Sequence, residues 1–211
     1  MKACFVLLAL VAVACSAPQQ RKLFHEHFED FLIVIGESAG QELTELAEKY
    51  FEFEEFRATI DYIASTDFKN LVYEMESLPE FKAVIDFLEA NNIDILYFID
   101  RFNTLLEEGP GGPPMSKGAR VEPSGTDFTS FIKDNIDLFP KDDLFALFEQ
   151  KIAEDADFKS AFDNLNSDEW REIFGALWES EQFLAEVQTL ADNGIDVGIL
   201  LYEIVAIFGL N

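Results

Sequence analysis

His25 and His27, the only histidines of the chain, flank Glu26 and are the first residues to test for chemistry. On a helix, residues two apart point to nearly opposite faces, so this pair cannot chelate one ion as an i, i+4 pair does. A structural zinc usually takes four protein ligands, and no third is evident here. The sequence is therefore read as having no metal site and no resident cofactor. The two histidines fall in what reads as a frayed leader, which leaves a Ser-His-Asp triad nothing to be built on. The glycines of GPGG at 109–112 lack the Lys and the strand–helix context of a phosphate-cradling loop. Paired carboxylates could do acid–base work, but among 41 acidic residues such pairs arise by chance and point nowhere. Asp94 and Asp196 each follow an asparagine (Asn91, Asn193) at a helix start, so capping and the helix dipole account for them. Nothing in the residues points to an enzyme.

The elements that would position any site are helices. Apolar residues recur at three- and four-residue spacing with Glu, Asp and Lys opposite them, and strand patterns are nearly absent. The spacing predicts helices near 24–35, 40–51, 54–64, 67–76, 79–90 and 93–107. A second set follows near 127–136, 140–153, 156–164, 168–178, 181–191 and 195–209. Ser65 and Ser167 read as N-caps at equivalent places, and Ser77-Leu78-Pro79-Glu80 reads as a capping box with proline in the first turn.

The two sets are copies. Shifted by 102 positions, residues 49–102 fall on 151–204 without a gap and with eleven identities. Among them are Phe56 on Phe158, Ser65 on Ser167, Phe81 on Phe183, Leu88 on Leu190 and Ile93 on Ile195. A period of about a hundred residues exceeds the ~20–50 of a solenoid unit, and reads as a tandem duplication whose halves pack on each other. The organisation expected is a signal peptide at 1–17, a helical repeat at 18–106, a Gly/Pro-rich linker at 107–126 and a second repeat at 127–211, in one joint fold. Residues 1–17 carry one positive charge at Lys2, an apolar run and small residues before the cleavage point, as an exported chain does. Cys4 and Cys15 both lie inside that segment, so the mature protein would have no thiol.

A formal net charge of −26 repels nucleic acid phosphates and disfavours anionic lipid surfaces. The last helix of each half is unusually apolar. In DVGILLYEIVAIFGL apolar side chains surround the axis, which predicts a pair of helices buried inside a shell of amphipathic ones. The chain also carries 22 Phe, which need no hydrogen-bond partner and suit either a dense core or the wall of a dry cavity.

The signal peptide, the two units of about a hundred residues, and the paired elements FKAVIDFLEANNIDI and FLAEVQTLADNGIDV resemble the insect allergen-related repeat family. That family includes group 1 cockroach allergens, nitrile-specifier proteins and blood-meal-induced midgut proteins of mosquitoes, and the single-pair midgut proteins are the most similar in organisation. The resemblance implies an all-α fold in which about a dozen helices from two repeats enclose a large hydrophobic cavity holding fatty acids or phospholipids. It also implies secretion into the gut lumen, a link to digestion, and cytolytic (haemolytic or anti-envelope) effects through exchange of lipid with membranes. Ligand contacts are expected on Ile95, Phe98, Ile99 and Phe102, and on their repeat equivalents Val197, Leu200, Leu201 and Ile204. A structural role at the gut lining and a diverged nitrile-specifier-like activity are the alternatives.

Overall fold

In the computed structural model the described residues are 22–108 and 121–207, and they form eleven helices with no strand among them. The first repeat supplies α1 (Phe24–Tyr50), α2 (Glu54–Ile63), α3 (Thr66–Ser77), α4 (Pro79–Ala90) and α5 (Ile95–Glu108). The second supplies α6 (Phe128–Asp137), α7 (Lys141–Glu154), α8 (Ala156–Asn164), α9 (Asp168–Glu179), α10 (Glu181–Asp192) and α11 (Val197–Ile207). The expected signal peptide and residues 109–120 of the expected linker lie outside the described residues.

One boundary differs from expectation. The helices predicted at 24–35 and 40–51 are a single 27-residue helix that runs through Gly36 and Gly40. Glycine weakens a helix by only about 1 kcal/mol relative to alanine and does not stop it. The second repeat does break between α6 and α7, because Pro140 has no N–H to donate and its ring clashes with the preceding turn.

Other starts and stops follow from local chemistry. Ser65 accepts from the Phe68 N–H at 3.2 Å and Ser167 from the Trp170 N–H at 3.1 Å. Ser77 is the last residue of α3 rather than a cap, and α4 begins with Pro79 at its first turn without a capping side chain. Asn92 and Gly194, equivalent positions one step beyond the C-caps Asn91 and Asn193, both have positive φ (62° and 86°). Asparagine and glycine are the residues that tolerate that conformation. At 194 glycine is needed twice over, since an added Cβ would lie 2.4 Å from Thr59 Oγ1.

The repeats interlock rather than sit side by side. The first half of α1 packs on α7 and α8 around Phe31, Leu144 and Phe158, and its last turn packs on α2 and α6 around Leu46, Tyr50 and Phe56. The duplicated phenylalanines centre both clusters. Phe56 touches Phe131 and Phe128 of the other repeat (ring centroids 4.9 and 6.2 Å), and Phe158 touches Phe24 and Phe31 of the first (5.8 and 6.5 Å). The buried Tyr50 hydroxyl donates to Asp134 of α6 at 2.5 Å, and burial followed by that carboxylate pushes its pKa well up.

The two apolar helices are not buried all round, contrary to expectation. Leu96, Phe102 and Leu105 of α5 are 48%, 43% and 49% exposed, and Tyr202 of α11 is 62% exposed. The α5 helix packs on α4, on the Phe68 cluster through Leu106 and on α1 through Phe98, while α11 packs on α6, α7 and α10, and the two do not form a principal packed pair. Of these exposed residues, Phe102 lines one of the apolar pockets.

Candidate functional site: two apolar pockets and a polar clasp

Two pockets have almost wholly apolar walls. The first, about 340 Å³, lies between α3, α4, α5 and α10, lined by Phe68, Val72, Met75, Phe81, Phe98, Ile99, Phe102, Leu190 and Ile195, with Glu76 the only charged residue. The second, about 450 Å³, lies between α1, α6, α7 and α11, and its walls include Phe28, Phe31, Leu32, Ile35, Ile136, Leu144 and Leu200, with Asn135 the only polar one. Phe28 of the second and Phe98 of the first meet edge to face at 5.3 Å, so the pockets adjoin. Leu200 joins them as well, lining the second while packing on the cluster of Phe68, Leu190 and Ile195 that walls the first. Where the family resemblance implies one large cavity, the described residues outline two adjoining pockets. Each volume falls in the range of roughly 300–1,000 Å³ typical of small-molecule sites.

Of the eight residues expected to touch ligand, Phe98, Ile99 and Phe102 line the first pocket and Leu200 the second. Ile95 instead packs on the α4–α9 core, Val197 packs on the Phe68 cluster, and Leu201 lines neither pocket. The side chain of Ile204 lies outside the described residues. The largest omission is α1. Phe28, Leu32 and Ile35, spaced four and three apart, form one apolar stripe that periodicity alone could have picked out.

The histidines are not in a frayed leader but in the first turn of α1, which Glu26 closes by accepting from the Leu23 N–H at 2.7 Å. His25 stacks on Tyr97 at 3.9 Å and pairs through Nδ1 with Asp94, whose carboxylate also accepts the His25 backbone N–H at 3.0 Å. Asp94 therefore ties α1 to α5 rather than capping α5, whereas Asp196 accepts from the Ile199 N–H at 2.9 Å, as expected of a cap. His27 points the other way and is buried. Lys151 Nζ donates to its Nδ1 at 3.2 Å and also to Asp30, which pairs in turn with Lys22. His27 Nε2 lies 3.2 Å from Asp155 Oδ2, off the line of a hydrogen bond, so the contact is ionic in distance only. This is a clasp between the repeats. Among the described residues no group of three or more His, Cys, Asp or Glu could hold a metal ion.

The clasp makes stability depend on pH. Burial and then Lys151 hold the His27 pKa below 6.5, so as pH falls through 6.5 the unfolded chain takes up the proton first and folding weakens. Burial pushes Asp30 and Asp155 up, but Lys151 and Lys22 at Asp30, and the Phe158 and Asp157 N–H groups at Asp155, outweigh it and hold both below 3.8. Their contribution is present above that value and is lost at more acid pH. The urea midpoint should therefore fall between pH 7.5 and 5.5 and again below about pH 4. His27→Gln, which keeps an acceptor for Lys151 but cannot titrate, should flatten the first step; an unchanged slope would contradict the assignment.

The family model described as insect allergen related repeat, nitrile-specifier detoxification matches residues 24–201, from the first residue of α1 into α11. This chain belongs to the insect allergen-related repeat family. The match spans both copies of the duplication, and with it every wall of the two pockets. No curated protein matches the chain.

Proposed function

We propose that this member of the family is a secreted lipid-binding protein that holds fatty acid or phospholipid acyl chains in its two adjoining pockets. The observation carrying the proposal is the juncture at Phe28 and Phe98. There two apolar pockets of about 450 and 340 Å³ share a boundary, so hydrocarbon entering either one meets almost wholly apolar walls. Burying one acyl CH₂ is worth roughly 0.8 kcal/mol, so a long chain supplies around 10 kcal/mol before ordering costs. Nothing but apolar surface is asked of the walls, which agrees with the Phe-rich composition.

No helix among the described residues is long and apolar enough to cross a membrane. Exchange with bilayers would therefore proceed from the water side, with neutral or zwitterionic lipid favoured by the −26 charge. A carrier of this kind in a gut lumen would buffer the products of lipid digestion, and cytolysis would follow from depositing or extracting membrane lipid. The detoxification named in the family description supports a second reading, in which a small apolar substrate occupies the same pockets.

The test is uptake. Delipidated protein mixed with phosphatidylcholine vesicles containing labelled palmitate should leave the vesicles carrying label, and should release trapped dye only in a cargo-dependent way. Protein that emerges unlabelled would overturn the reading. Equal leakage by loaded and delipidated protein would remove cargo-driven lysis from it.

A further inference from the structure

The duplication gives the molecule two equivalent helix seams, and they are not alike. In one, α9 of the second repeat lies along α4 of the first; in the other, α3 of the first faces α10 of the second. The α4/α9 seam is closed. Trp170 packs on Phe87 across it at 5.3 Å and, with Trp178, on the core of Val84, Phe87 and Leu88, while Phe174 stands between the two tryptophans on α9. The α3/α10 seam holds the 340 Å³ pocket.

A shift of 102 positions shows why. Trp170, Phe174 and Trp178 stand where the open seam has Phe68, Val72 and Glu76, all three of which line its pocket. On the facing helix, Phe87 of the closed seam corresponds to exposed Thr189 of the open one. A second difference acts in the same sense. Glu74 and Glu186 face each other across the open seam, where burial and then Glu74 push the Glu186 carboxyl up. Their equivalents in the closed seam are Ala176 and Val84, which can approach without repulsion. The smaller side chains leave the open seam unfilled, and Glu74 and Glu186 put two acidic groups where the closed seam has Ala176 and Val84.

We propose that the α3/α10 seam admits an apolar ligand chain while its twin is plugged, and that positions 72/174 and 76/178 decide which seam is open. The inference rests on the lipid-binding reading and sets its capacity: two equivalent places, one of them usable. A ligand chain reaching this lobe would run from Phe98 toward Val72 and Met75, with its end near Glu76.

Native mass spectrometry of full-length mature protein, delipidated and reloaded with palmitate, tests the assignment. Copying the closed seam into the open one with Val72→Phe and Glu76→Trp should lower the number of palmitates held, or weaken binding at least about tenfold. Copying the open seam into the closed one with Phe174→Val and Trp178→Glu should raise the number held. Val72→Phe alone adds a ring at an unfilled wall, and it must still weaken uptake if either double variant fails to melt cooperatively. Uptake by the parent protein with no change in any folded variant overturns the seam assignment and leaves the lipid reading intact. No palmitate on the parent protein overturns both.

Discussion

Phe56→Ala should destabilise the fold by about 3–5 kcal/mol, the range for truncating a fully buried phenylalanine. The ring is 2% exposed and touches Tyr50, Phe51, Phe128 and Phe131, with centroids 4.9 to 6.2 Å away. Those neighbours lie on α1 and its C-cap and on α6, so the space left behind is bounded by two helices besides α2 itself and cannot collapse by moving one side chain. Its equivalent in the duplication, Phe158, is 3% exposed and should respond in the same way, because it likewise joins helices of both repeats. Urea unfolding measures both. A loss under about 1 kcal/mol would mean that the repeats do not interlock through these rings.

Stripping bound lipid should lower the melting temperature by on the order of 10 °C. A ligand present at a thousand times its dissociation constant stabilises by about 4 kcal/mol, and a chain of this size gains about 2–4 °C per kcal/mol. The direction is fixed by mass action, since the pockets exist only in the folded protein. Empty apolar space also costs stability in proportion to its volume, so the unliganded form starts from a weakened interior. Scanning calorimetry before and after extraction, with palmitate added back, measures the difference. Identical melting of stripped and loaded protein would mean that the pockets are not where lipid binds.

How much of this was legible in the sequence depended on the range of the interaction. Local chemistry read well: Ser65, Ser167 and Asp196 cap helices as their types and positions require. Two of the phenylalanines that the 102-residue shift pairs, Phe56 and Phe158, pack across the two halves. The reading failed where a residue's partner lies far along the chain. Asp94 looks like Asp196 in sequence, yet His25, 69 residues earlier, takes its carboxylate. The break expected between 35 and 40 did not occur, because glycine only permits a break while Pro140 in the other repeat enforces one. Four of the eight residues expected to touch ligand line pockets, Phe98, Ile99 and Phe102 from α5 and Leu200 from α11. The α1 wall is not legible from overall apolarity, which singles out α5 and α11 instead. A pocket wall needs only one apolar stripe, and Phe28, Leu32 and Ile35 supply it.

The most direct measurement is organic extraction of the purified mature protein followed by lipid mass spectrometry. Fatty acids or phospholipids recovered in near-stoichiometric amounts are the expected result, with acyl chains that fit apolar pockets of about 340 and 450 Å³. A clean extract from stably folded protein that also refuses added lipid would contradict the account and favour a structural role.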